Sequence, residues 1–181
     1  MEIIRSHFAP IFVGLLLATV SVGAWTSWAV STHSWPFCGG SFVDGSSAPM
    51  SIQNLTQASD RVIIGSVGHI GPSWQQNNGY IVTNVTVSTT ESLKPQGGAE
   101  QIEIIVAGGT IGCYTERVSN APSFASDEQV LLFLTTGPDG YTRVTGGIIG
   151  KYTISNGYAY PTSQSGAILL SDLISEIRRY V

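Results

Sequence analysis

The chain has 181 residues and a formal net charge of −4, and only 11% of its residues are charged, against roughly a quarter in typical soluble domains. No long run of Lys or Arg occurs, so the electrostatic footprint of a nucleic-acid binder is missing and that partner class is excluded. A hydrophobic content of 43% argues against a disordered chain, and the length suits one domain with a sizeable core.

The first segment reads as an export signal. Arg5 and His7 precede an apolar run from Phe8, and small residues close it at Val22 and Ala24, the pattern of a cleavable leader spanning 1–24. Ala29 offers a second cleavage position. The alternative is retention as an N-terminal membrane anchor over 8–30, which is long enough to cross a bilayer core. Trp25 and Trp28 would then occupy the interfacial belt. Either way the rest of the chain is expected to be secreted or extracytoplasmic. Residues 25–49 form an irregular Ser-, Gly- and Pro-rich lead-in, and 50–181 the folded domain.

Cys38 and Cys113 are the only cysteines. In an oxidising compartment an even pair is most simply a disulfide, and so long a loop is worth roughly 4 kcal/mol on the chain-entropy model. Two free buried thiols are the alternative. A metal site is not expected, because His33 and His69 stand at no ligand spacing from either cysteine.

Within the domain, Ile52, Leu55 and Ala58 fall at helical spacing behind Ser51 as a cap, predicting a short helix over Met50–Ser59. Period-2 patterning follows. Arg61–Val67 is a short strand expected to end at Gly68-His-Ile-Gly-Pro72. Asn78-Gly79 signals a turn, and Tyr80–Ser88 alternates with Ile81, Thr83, Val85 and Val87 on one face. After Gln96-Gly-Gly98, Gln101–Val106 turns Ile102, Ile104 and Val106 inward, and Gly108-Gly109 ends that strand. Cys113–Val118 is a weaker strand. Gln129–Leu134 is the most apolar run and reads as a central strand. Gly137-Pro-Asp-Gly140 is a turn into Tyr141–Thr145. Asn156-Gly157 joins Ile148–Ser155 to Tyr158–Tyr160 as a hairpin. Leu170, Leu173, Ile174, Ile177 and Val181 then predict an amphipathic helix capped by Ser171, with Arg178 and Arg179 at its dipole-favoured end. A membrane-surface helix is the sharper alternative for this segment. The fold class expected is mostly β: a small closed antiparallel barrel with a short N-terminal helix and a C-terminal amphipathic helix.

The order of that first helix, Ala58-Ser-Asp-Arg-Val-Ile-Ile-Gly65, the long alternating strand, Val106-Ala-Gly-Gly-Thr-Ile-Gly112, Pro122–Leu134, Gly147-Ile-Ile-Gly-Lys-Tyr-Thr153 and the last helix resembles a group of exported microbial proteins of uncharacterised function. Their strand layout is similar to the OB-like barrel of netrin and tissue-metalloproteinase-inhibitor domains. The resemblance covers roughly residues 50–181 and rests on turn and core patterns. In the metalloproteinase inhibitors the mature N-terminal cysteine chelates the target's zinc. Cys38 lies well inside either cleavage position, so that mechanism is not carried over.

Catalytic signatures fail. Gly65-Ser66-Val67-Gly68 places the serine one position too early for a nucleophile elbow. Gly146–Lys151 is one residue short of a phosphate loop, and Tyr152 stands where Ser or Thr is needed. Asp60, Ser66 and His69 lie close in sequence, but at strand spacing they do not converge as nucleophile, base and orienter must, and His69, beside Gly68 and Gly71, reads as a loop histidine. Glu100 with Glu103, and Asp127 with Glu128, read as solvated carboxylates at strand edges and turns. No catalytic, cofactor or metal residue is therefore assigned. Sequons occur at Asn54-Leu-Thr56 and Asn84-Val-Thr86, Asn84 facing away from the Ile81–Val87 stripe.

The reading is an exported, non-catalytic binding or interaction module, with a protease-inhibitor role as a special case. Its partner is an extracytoplasmic protein or small ligand, met on a surface in the loops around Trp74 and Tyr80, with packing at the barrel end as the alternative role for Trp74. A small secreted enzyme with an unrecognised site is the alternative.

Overall fold

The computed structural model describes residues 39–45, 48–74, 80–95 and 101–181. The chain divides into two units, Met1–Gly39 and Gly40–Val181, and the architecture below is that of the second. The predicted leader or anchor, His33, Cys38, and the turns at Asn78-Gly79 and Gln96-Gly-Gly98 lie outside the described residues.

Eleven strands, two α-helices and one 3₁₀ turn make up the described part: β1 (Gly40–Val43), α1 (Ile52–Ala58), β2 (Arg61–Trp74), β3 (Ile81–Lys94), β4 (Gln101–Ala107), β5 (Gly109–Ile111), β6 (Tyr114–Val118), β7 (Gln129–Thr136), β8 (Thr142–Val144), the 3₁₀ turn Gly147–Gly150, β9 (Lys151–Ser155), β10 (Tyr158–Pro161), β11 (Ile168–Leu169) and α2 (Leu170–Arg178). The mostly β class with two helices holds. β1 falls within the stretch expected to be irregular, where it pairs in parallel with β6.

The large sheet runs β11-β10-β9-β7-β2-β3-β4, with β8 also on β7, and a small sheet runs β1-β6-β5. It is not the closed barrel that the strand pattern predicts. The outer edge of β7 is shared: Val130–Leu132 pair with β9 and Leu134–Thr136 with β8. The strand that would complete a ring is therefore only three residues long. β8 comes into contact with β4, but the two share no ladder.

The curl comes from bulges in the β2–β3 pair. Its register shifts between Val62 and Ile63, between Ile64 and Gly65, and between Val67 and Ile70. Each extra residue bends a strand and raises its twist. The last shift corrects the expectation that β2 stops at Gly68. Gly68 and His69 are accommodated as a bulge, and pairing resumes from Ile70 to Trp74.

Alternation along the central strands supplies two cores. Val62, Ile64, Leu131, Phe133, Tyr152 and Ala159 face Leu55 of α1 and Leu173 and Ile177 of α2. Ile63, Val67, Val85, Val87, Ile102, Ile104, Val106, Val130, Leu132, Leu134 and Val144 fill the concave side. β7 thus contributes to both, which explains its unbroken apolar sequence.

The α1 helix starts as expected, the Ser51 side chain accepting the Asn54 N–H at 3.2 Å. Its far end is held by other elements. Lys94 Nζ of β3 donates to the Thr56 carbonyl at 2.8 Å, and the Ser59 hydroxyl donates to Leu55 O at 2.7 Å and lies within hydrogen-bond distance of the Thr145 hydroxyl, at 2.9 Å. The cap predicted at Ser171 is not formed. The N-cap position of α2 is Leu169, without a side-chain cap, because the preceding residues are already paired as β11. Ser171 Oγ instead donates to Asp172. Arg178 reaches Glu91 on β3 at 3.0 Å.

The two marked turns that fall among the described residues form. Asn156 (φ 51°) and Gly157 (φ 79°) take the left-handed backbone of a tight hairpin. In the β7–β8 turn the Gly140 N–H donates to Gly137 O at 3.0 Å. There Arg143 hydrogen-bonds Asp139 and holds its carboxyl down to about 2.

Candidate functional site: a groove between the two sheets

After Ala107 the chain leaves the large sheet and crosses to the small one. The crossing depends on Gly108, whose φ of +90° is rarely open to L side chains, and whose added Cβ would lie 2.8 Å from Glu116 O. Three bonds fasten the crossing to the start of β3: Gly108 N–H to Ile81 O at 2.9 Å, Thr83 Oγ1 to Gly108 O at 2.7 Å, and Ile81 N–H to Glu116 Oε2 at 2.9 Å. β6 is thereby held beside the large sheet without becoming part of it.

Between the end of β6 and the start of β7 runs a strap, residues 119–128, with no strand of its own. Its backbone is pinned along its length. The Ile148 N–H donates to Asn120 O at 3.0 Å, and Asp127 N–H to Val67 O at 2.9 Å. Val67 returns its N–H to Glu128 O at 2.9 Å. Ala121 and Phe124 pack onto the concave core.

The strongest pin is electrostatic. Lys151, the first residue of β9, is 3% exposed. Its Nζ donates to Ser123 O at 2.5 Å and to Glu128 Oε1 and Oε2 at 2.8 and 2.9 Å. The ammonium also lies 4.7 Å from the Phe124 ring centroid, a cation–π distance. Glu128 further accepts the Thr153 hydroxyl and the Ala125 N–H. Burial pushes the Glu128 carboxyl up. The hydrogen bonds from Lys151, Thr153 and Ala125 outweigh it and leave the group below its ordinary value. All three ammonium protons are used, so the pair is a structural clasp on the strap.

These walls enclose an open groove of about 460 Å³. Its floor is Ile70 of β2, Val85 of β3 and Val106 of β4, one wall is Glu116–Val118 of β6, and the other is Ala121–Phe124 of the strap. The size is that of small-molecule sites, and the lining is mainly apolar, as such sites are. Along β6, Glu116 and Val118 share the half-buried side, and Arg117 between them is exposed.

The residues singled out by sequence fall elsewhere. The Trp74 backbone pairs with Ile81, and Tyr80, half-buried, directly precedes it. Both therefore belong to one end of the β2–β3 hairpin; the Trp74 side chain lies outside the described residues. Asn54 is exposed on α1, while Thr56 is buried with its hydroxyl on Ile52 O. Asn84 is half-buried in mid-β3, its Oδ1 buried without a hydrogen-bond partner. Cys113, at the β5–β6 turn, is disulfide-bonded; its sequence-predicted partner, Cys38, lies outside the described residues.

Asp60, Ser66 and His69 are not brought together. Asp60 accepts the Thr136 N–H at 2.8 Å and the Thr135 hydroxyl at 3.1 Å. His69 is exposed in the bulge, roughly 25–30 Å further along an extended strand. The reading of Asp127 and Glu128 as solvated carboxylates is corrected for Glu128, whose side chain is 13% exposed and clasps Lys151. Among the described residues no group of three His, Cys, Asp or Glu side chains is placed to hold a metal ion, and no helix is long and apolar enough to cross a membrane. Neither a protein-family model nor a curated protein matches this chain.

Proposed function

We propose that the chain is an exported, non-catalytic binding module that takes its ligand in the groove between the large sheet and the β6–strap wall. The observation that supports this is the groove itself: apolar, of ligand size, with walls fixed by main-chain bonds and the Glu128–Lys151 clasp. A preformed site avoids the ordering cost of binding. The OB-like reading of the curled sheet fits the same proposal, because such sheets bind through one face and adjoining loops. Delivery by the 1–24 leader, or attachment through 8–30, is part of the proposal. So is the Cys38–Cys113 disulfide, expected as a cross-linked peptide in non-reducing mass spectrometry.

Fluorescence titration with the uncharged apolar dye N-phenyl-1-naphthylamine tests the reading. Saturable one-to-one enhancement is expected, and Val118→Trp, which fills the groove from its half-buried wall, should abolish it while leaving the circular-dichroism spectrum unchanged. No saturable enhancement in the parent protein contradicts the proposal. So does equal binding by a folded Val118→Trp variant.

A further inference from the structure

We propose that a second pocket, where the strap meets β9 and β10, binds one uncharged pyranose ring. Nothing in it depends on a ligand in the groove. Register decides which side chains meet there. Thr153 pairs with Val130 on one side and with Tyr160 on the other, so Tyr160 shares a face with Thr153 and, two residues before it, Lys151. The strap covers Lys151, but Tyr160 beyond it is 41% exposed. An open pocket of about 300 Å³ lies at this step, with Ser123, Phe124, Thr153, Tyr160 and Thr162 in its lining.

Its charged lining residues are Glu128 and Lys151, which neutralise each other at 2.8 Å. The pocket thus presents no net charge to a ligand of either sign. Its polar groups are spent asymmetrically. Thr153 gives its hydroxyl proton to Glu128, and Thr162 gives its own to Lys151 O at 3.2 Å. The Lys151 ammonium has no proton left after Ser123 O and Glu128. What the two threonine hydroxyls and the Ser123 carbonyl still offer is lone pairs. An occupant must therefore bring donors, and an acceptor-only carboxylate or phosphate meets three sites it cannot use. The Tyr160 ring adds a π-face that is electrostatically negative and so attracts polarised C–H groups. A rigid ring with O–H donors around its rim and C–H groups on its faces meets both demands, and a pyranose with equatorial hydroxyls is such a ring. The volume is at the lower end for small-molecule sites, enough for one ring.

Amide ¹H–¹⁵N titration of the full-length protein tests this with methyl β-D-glucopyranoside, cyclohexanol and cyclohexanecarboxylate. The glucoside should give saturable one-to-one shifts at Ser123, Thr153 and Tyr160, with a dissociation constant on the order of 1 mM. It should bind at least about tenfold more tightly than either other ring. Tyr160→Ala should weaken the glucoside by about tenfold, and Tyr160→Phe, which keeps the π-face, by much less. Thr162→Val should cost about fivefold and Thr162→Ser should restore it. The N-phenyl-1-naphthylamine titration should be the same in Tyr160→Ala as in the parent. No saturable glucoside shift overturns the proposal, as does equal affinity for cyclohexanol or the carboxylate. Unchanged glucoside binding by a folded Tyr160→Ala variant overturns it too, and so does loss of the dye together with the glucoside, which would mean one shared site. If the glucoside binds as described while the dye fails to bind the parent protein, this pocket stands and the groove reading falls.

Discussion

Lys151→Met is expected to lower the free energy of unfolding at neutral pH by about 3 kcal/mol, the scale for removing one member of a buried ion pair. The side chains of Lys151 and Glu128 are 4% and 13% exposed. The variant therefore leaves a carboxylate poorly solvated and frees the Ser123 carbonyl. Urea denaturation at pH 7 measures the loss. Glu128→Gln combined with Lys151→Met should recover much of it, because no uncompensated charge remains buried.

The pH dependence has a definite sign. In the parent protein the folded Glu128 carboxyl sits below its ordinary value of 4.5. Its stabilisation is thus complete above that value and is lost as pH falls through the lower folded one. In Lys151→Met burial is no longer opposed by the ammonium, so the carboxyl should rise, and the variant loses least at acidic pH. The stability gap between the two proteins should narrow from pH 7 to pH 4. A gap that widens would show that the clasp does not carry the charge balance described here.

Phe133→Ala is expected to cost about 4 kcal/mol by the same measurement. Phe133 has no exposed surface, and its ring centroid lies 6.1 Å from that of Tyr152 at an interplanar angle of 57°. It stands on β7 between the sheet and the two helices. A cavity there is bounded by main chain already paired on both sides by β2, β8 and β9, so collapse around it is restricted. Thermal unfolding should remain a single transition. A loss under about 1.5 kcal/mol would mean that this core is loosely packed.

The elements were legible in sequence wherever local chemistry decides them. Ser51 caps α1, Asn156-Gly157 makes its hairpin, and Gln129–Leu134 is apolar because β7 is covered on both faces. Reading failed where the outcome depends on register between distant strands. The Glu128–Lys151 clasp joins positions that meet only because Val130 pairs with Thr153. Its one local trace is a lysine in an otherwise apolar strand start, with Thr153 on the same face. Ser171 looked like a cap, but β11 sets where α2 begins. Closure of the barrel looked natural from many short strands, yet it depended on how β8 and β9 divide one edge. The groove was illegible for a similar reason: Ile70, Val85, Val106 and Val118 belong to four strands, and only the bulged sheet brings them to one place.

The most direct test is an amide ¹H–¹⁵N correlation spectrum recorded while N-phenyl-1-naphthylamine is titrated into the protein. The account predicts that the shifts concentrate at Ile70, Val85, Val106, Val118 and Phe124, around the groove. Shifts confined to the Tyr80 end of the hairpin, or to the exposed Tyr158 and Tyr160 of β10, would contradict it.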